Sequence, residues 1–164
     1  VLLDACEQRD VHEVKRLLDE GFDATQHDKS GRTALHAAVD KGRENAACVE
    51  VVQALLKTPG VDPNCQDIDG WSPVHHCATT GKTESLRLLV QNKGSANECE
   101  AQKDKRTPLI ISVFNDHPDC VNVLLEFGAD PNGKDIYGRT ALHHAAAEFN
   151  RDNDVEAALA MLRT

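Results

Sequence analysis

Two pairs of adjacent histidines stand out in the chain: His75-His76, followed by Cys77, and His143-His144. Imidazole and thiolate are zinc ligands, and histidine is a common general acid or base near neutral pH. Adjacent residues on a helix point about 100° apart, so neither pair chelates one ion by itself. Paired carboxylates are the other candidate chemistry, and Asp67 and Asp69 precede Gly70. Asp bonds its own backbone in tight turns, so these two read first as turn formers. The chain has no phosphate loop, no nucleophile elbow and no zinc-hydrolase signature. Its six cysteines, Cys6, Cys48, Cys65, Cys77, Cys99 and Cys120, form no close pair. They read as reduced thiols of a cytoplasmic or nuclear protein. We assign no catalytic residue and no cofactor.

The histidines belong to a block that recurs. Asp135-Ile136-Tyr137-Gly138-Arg139-Thr140-Ala141-Leu142-His143-His144-Ala145-Ala146 is one full copy. Asp28 to Ala38 is a second copy, Asp67 to Ala78 a third, and Lys103 to Ser112 a degraded fourth. From Thr33 to Ser72, Thr107 and Thr140 the spacings are 39, 35 and 33 residues. The block resembles the ankyrin repeat, with a period of about 33 residues and a turn followed by Thr-Pro-Leu-His-x-Ala.

The resemblance implies an all-α ankyrin-repeat solenoid of helix-turn-helix units joined by β-hairpin-like loops. It divides the single domain into repeats of about 1–28, 29–67, 68–102, 103–134 and 135–164, the first without its hairpin. It also implies a mechanical role for Thr33 and His36, for Ser72 and His75, and for Thr140 and His143. Each pair ties the start of a first helix to backbone within and between repeats. Stacked helices stand about 8–10 Å apart, so we expect histidines of successive repeats to lie too far apart for one ion, and no metal site.

The elements that position these residues follow from apolar spacing. Leu2, Ala5 and Cys6 share one helical face, and Val11, Val14, Leu17 and Leu18 form the next. Gly21 stops that helix. Thr33 caps a helix carrying Leu35, Ala38 and Val39. An insertion, Arg43 to Glu50, precedes Val51-Val52 and Leu55-Leu56. Ser72-Pro73 opens a helix that Gly81 ends, and Leu86, Leu88, Leu89 and Val90 form its partner. In the fourth copy Lys105 replaces the turn glycine, Ile110 replaces the histidine, and Asp116 replaces the mid-repeat glycine. We expect a differently shaped loop at Lys105, and Asp116 or Asp119 as the cap of the helix that follows. In the fifth, Phe149 and Asn150 to Asp154 lengthen the loop before a last, apolar helix, Val155 to Leu162.

The net charge of −9 opposes direct nucleic-acid binding, which needs a basic footprint. No apolar run approaches the roughly 18 residues of a membrane span. Val1 in place of an initiator Met reads as a monomeric piece of a longer chain.

In ankyrin-like stacks the hairpin tips and first helices form a concave face. Carried onto this chain, its partner-binding positions are Lys29, Arg32, Lys41, Ile68, Asp69, Trp71, Thr80, Lys103, Arg106, Phe114, Tyr137 and Arg139. Asp40 and Thr79 lie beside them. The set holds the only Trp and the only Tyr of the chain, and Trp, Tyr and Arg dominate interface hot spots. The tips are mildly basic at both ends of an acidic body. A protein partner with an apolar anchor and acidic flanks suits such a face.

Asn64, Asn97 and Asn132 each follow a leucine by eight residues. Asn64 and Asn132 resemble the hairpin asparagines that an oxygen-sensing asparaginyl hydroxylase modifies in ankyrin proteins, although Pro63 and Pro131 replace the preferred Val. The function expected is non-catalytic protein recognition as scaffold, adaptor or inhibitor. The alternative is a regulatory segment packing on a catalytic or transcription-related domain of its own chain.

Overall fold

The computed structural model describes residues 1–40, 42–100 and 104–148. Among these residues there are nine helices and no strand. In chain order they are α1 (Leu2–Gln8), α2 (Val11–Asp19), α3 (Ala34–Asp40), α4 (Ala46–Leu56), α5 (Pro73–Thr80), α6 (Thr83–Gln91), α7 (Pro108–Phe114), α8 (Pro118–Glu126) and α9 (Ala141–Glu148). First helices stack in the row α1, α3, α5, α7, α9, and second helices in the row α2, α4, α6, α8. The expected last helix, and the expected loop at Phe149 and Asn150 to Asp154, lie outside the described residues.

From α1 to α6 the buried faces follow the predicted spacing, with Leu56 and Leu88 only half-buried. Leu2, Ala5, Cys6, Val14 and Leu17 are buried, with Val11 and Leu18 half-buried against them. Leu35, Val39, Val51, Val52, Leu55, Val74, Leu86, Leu89, Leu109 and Leu124 continue one core along the stack. Each such side chain contributes about 1.5–3 kcal/mol by leaving water. Because a unit alone leaves half that surface exposed, stability resides in the junctions between units.

The fourth repeat departs less than its residues suggest. Lys105 takes φ 51°, the left-handed conformation that Gly31, Gly70 and Gly138 hold at 72°, 77° and 74°. The loop therefore keeps its turn and differs in length: Glu100 N–H donates to Arg106 O, six residues on, where the other hairpins span four. Asp116 likewise takes φ 56° in place of the mid-repeat glycine. It does not cap α8, whose N-cap is His117. Where Ile110 replaces histidine, the Thr107 hydroxyl turns to the backbone and accepts the Ile110 N–H.

The insertion Arg43 to Glu50 is part loop and part helix. Helix α4 starts inside it at Ala46, capped by Asn45. Glu44 crosses to the next repeat and accepts from Glu84 N–H (3.0 Å), Ser85 N–H (2.7 Å) and the Ser85 hydroxyl (2.6 Å). The N-cap of α6 is Lys82, which gives it no side-chain cap, and Glu44 supplies the missing acceptor to that positive helix end. In the other direction Arg9 donates to the Arg43 carbonyl at 2.7 Å. Lys82 itself is fully buried, with Nζ donating to the Val39 carbonyl at the end of α3 at 2.6 Å. Burial of that ammonium lowers its pKa.

Candidate partner-recognition site

Each hairpin is shaped by one aspartate. The Asp67 Oδ1 accepts the N–H groups of Asp69 (3.0 Å) and Trp71 (2.9 Å). Asp28 and Asp135 hold Ser30 and Arg32, and Tyr137 and Arg139, in the same way. Successive tips are joined by backbone bonds, Ile68 N–H to Ser30 O and Ile136 N–H to Asp104 O.

The first histidine of each block is structural. His36 Nδ1 accepts the Thr33 N–H at 3.1 Å, with the Thr33 hydroxyl 2.9 Å away. The ring proton therefore sits on Nε2, which donates to the Trp71 carbonyl of the next repeat at 2.9 Å. His75 repeats this with Ser72 and the Glu98 carbonyl. Burial pushes both imidazoles down to about 4, so they are neutral at pH 7. His143 bonds Thr140 in the same manner but is exposed.

The second histidine does something the sequence reading missed. His76 Nε2 lies 3.2 Å from Asp67 Oδ2, and its Nδ1 lies 3.7 Å from Asp40 Oδ1. His144 meets Asp135 Oδ2 at 3.0 Å in the fifth repeat. The signal was available: a histidine nine residues after the hairpin aspartate occurs in the third and fifth copies alone.

Around His76 the surface opens into a cavity of about 330 Å³ lined by Asp40, Asp67, Asp69, Trp71, His76, Thr79 and Thr80. Three carboxylates meet there beside one indole. Trp71 is half-buried, its ring 5.7 Å from the His76 ring and 6.1 Å from that of His75. Arg32, on the rim, already pairs with Asp28 (3.3 Å) and Asp40 (2.9 Å).

The fifth-repeat counterpart is closed. Asp135 is buried between His144 and Arg139 Nε, each at 3.0 Å. Burial works to raise its pKa, but hydrogen bonds from the Arg139 backbone, His144 and the Arg139 side chain bring it down to about 2. Phe114 stands edge-on to His144 at 6.0 Å, with Arg106 above its ring at 4.4 Å.

Most of the expected partner-binding positions that the structure describes are at the surface. Asp69, Trp71 and Thr80 line the cavity, and exposed Ile68 sits at its hairpin tip. Phe114 and Tyr137 are exposed at the other junction, and Arg139 lies over Tyr137 at 4.8 Å. Lys29 is exposed at the second-repeat tip. Lys41 and Lys103 lie outside the described residues. The basic character expected of the tips is largely neutralised within the molecule: Arg32, Arg106 and Arg139 each pair with a carboxylate of their own hairpin.

One further expectation changes. Histidines of successive repeats do approach one another: the His36 and His76 rings are 5.4 Å apart between centroids. Side chains directed along the stack cover the gap that helix spacing alone suggests. Asn64 and Asn97 brace hairpins. Asn64 donates to Lys93 O and accepts Ser95 N–H, while Asn97 does the same with Gly128 and Asp130. Asn132 is exposed.

Family comparisons agree with this architecture. A model for ankyrin repeats (3 copies) matches residues 45–135 and 95–162, and one for ankyrin repeats (many copies) matches 2–49. The chain belongs to the ankyrin repeat family. It is 34% identical over 139 residues to neurogenic locus notch homolog protein 1 of Danio rerio, covering 84% of this chain and 5% of that protein. It is 33% identical over 139 residues to neurogenic locus notch homolog protein 2 of Homo sapiens, again 84% and 5%. It is 32% identical over 124 residues to E3 ubiquitin-protein ligase KEG of Arabidopsis thaliana, covering 74% of this chain and 7% of that one. The chain thus spans a small part of the length of the curated relatives it matches. Ankyrin repeats are in general protein–protein interaction modules. No helix of the described residues is long and apolar enough to cross a membrane, and all six cysteines are free.

Proposed function

We propose that this ankyrin segment is a non-catalytic recognition module working inside the cell. Its five units present a concave face whose central contact is the cavity between the second and third repeats. The observation that carries this reading is the convergence of Asp40, Asp67 and Asp69 on one cavity beside Trp71. Of these carboxylates Asp40 already pairs with Arg32; the net negative charge that Asp67 and Asp69 add attracts a cation, and a guanidinium or ammonium over the indole gains a further ~0.5–2 kcal/mol. The partner that fits is a protein segment offering an Arg or Lys with an aliphatic neighbour for Ile68. This replaces the expectation of acidic flanks, because the rim arginines already carry counterions.

A peptide-display selection on the wild-type segment, counter-selected on the D40N/D69N/W71A variant, tests the proposal. Enriched sequences with a fixed Arg or Lys that the variant fails to retain would support it. Enrichment without a basic residue, or equal retention by the variant, would sink it. A second reading, that the face packs on another domain of the same polypeptide, draws support from the small share of each relative that the segment covers. Hydroxylation of Asn64 and Asn132 stays a proposal. Of the two, the exposed Asn132 is the easier substrate, because modifying Asn64 disturbs its bonds to Lys93 and Ser95. Intact mass after treatment with such a hydroxylase checks it.

A further inference from the structure

We propose that His36, Asp67 and His76 form a three-ligand site for a divalent transition metal of the zinc class, at the junction of the second and third repeats. One ring nitrogen of His36, one oxygen of Asp67 and one ring nitrogen of His76 lie within 4.8 Å of one another; Thr33 occupies His36 Nδ1, which makes Nε2 its ligand atom. A tetrahedral zinc with bonds of about 2.0–2.1 Å needs donor atoms about 3.3 Å apart. His76 Nε2 and Asp67 Oδ2 already stand at 3.2 Å. Closure therefore asks for a small movement of these two half-buried side chains toward buried His36.

The far atom of Asp67 is fixed as a metal ligand requires, and Asp40 and Thr33 stand beside the far ring nitrogens of His76 and His36. Asp67 Oδ1 is fixed by the N–H groups of Asp69 and Trp71, which leaves Oδ2 to face the histidines. His76 Nδ1 points to Asp40. His36 Nδ1 is held by Thr33. On binding, His36 gives up its bond to the Trp71 carbonyl, and its proton moves to Nδ1, where it donates to the Thr33 hydroxyl; the Thr33 N–H, which Nδ1 accepts in the free state, loses that acceptor. The Trp71 carbonyl keeps the Asp67 N–H. The fourth position opens to the cavity, for water or a group of a partner.

The other junctions lack the set. Asp135 and His144 have Ile110 where His36 would be, and the fourth repeat pairs Glu100 with Ile111. The inference needs no protein partner, so its test is independent of the recognition reading.

The experiment is a titration of the reduced segment with Co²⁺, read by visible absorption, with Zn²⁺ in competition. The expected result is one equivalent with tetrahedral d–d bands, no thiolate charge-transfer band, and displacement by Zn²⁺. H76A should weaken binding about tenfold or more, with its fold checked by circular dichroism without metal, and H144A should bind like wild type. Imidazole ¹⁵N spectra should show the His36 proton moving from Nε2 to Nδ1. A thiolate band, equal binding by H76A, an unmoved His36 proton or no saturable binding would each overturn the site.

Discussion

The third and fifth repeats start from nearly the same block, Asp-Ile-x-Gly-x-Ser/Thr-x-x-His-His, and arrive at different surfaces. Both fold the hairpin on the aspartate and bring the second histidine back to it, at 3.2 Å and 3.0 Å. At the third repeat the pair is flanked by Asp69, Trp71 and, from the preceding helix, His36 and Asp40. At the fifth the same places hold Tyr137, Arg139, Ile110 and Phe114. Arginine and phenylalanine close the second junction over its aspartate, whereas aspartate and tryptophan leave the first open and negative. The block that builds the hairpin thus fixes backbone twice over, and four positions it does not need decide whether a junction can bind.

Acid should separate the two regions most. His36 and His75 are neutral in the fold, with pKa values held near 4 by burial, while in the unfolded chain each takes a proton near 6.5. Their contribution is full above pH 6.5 and is lost as pH falls from about 6.5 to about 4. It amounts to roughly 3 kcal/mol for each histidine. Asp135 acts in another window: its contribution is present above 3.8 and lost only as pH falls toward 2. Urea midpoints should therefore drop between pH 6.5 and 4, and amide exchange should rise first in α3, α5 and α7. A flat midpoint over that range would mean the buried imidazoles are protonated in the fold.

The same contrast explains what could be read in advance. Helices and their buried faces were legible because a 3.6-residue stripe and a recurring turn both constrain them. The Thr–His clamps were legible because the repeat carries them. The loop at Lys105 was legible in its greater length but not in its left-handed turn, because lysine there is costly but possible once the flanking residues fix the turn. The Glu44 cap and the buried Lys82 were invisible, since each joins residues about 40 positions apart with no local pattern. The cavity was half legible. Asp69, Trp71 and Thr80 were picked as tip or helix positions, but the role of His76 depends on reach across a junction, which spacing along one helix does not report.

Binding should distinguish the aromatics next. Against a basic peptide selected on the wild type, W71A should lose about 2 kcal/mol, a factor of roughly thirty. Y137A should lose less than a factor of three, because Tyr137 stands 66% exposed and stacks mainly with Arg139. Isothermal titration measures both. Equal losses would merge the two junctions into one binding surface.

A smaller effect is expected at the insertion. E44A should destabilise the segment by about 1–2 kcal/mol, since it strips the acceptor from two N–H groups at the start of α6. E44Q should recover part of that loss. The check is the chemical-denaturation midpoint at pH 7. No change on E44A would mean that these bonds add nothing to the stability of α6.

The smallest change is expected from the rim arginines. Arg139 is 44% exposed, and its ion pair to Asp135 is one of several bonds on that carboxylate. Exposed pairs are worth about 0–1 kcal/mol, so R139A should shift the unfolding midpoint by less than about 1 kcal/mol. D135N should cost more, because it disturbs the hairpin N–H groups of Tyr137 and Arg139 together with His144. If R139A proved as damaging as D135N, the arginine would be the element that closes this junction. Placing arginine at position 71 would then be the direct way to close the other, at the expense of its cavity.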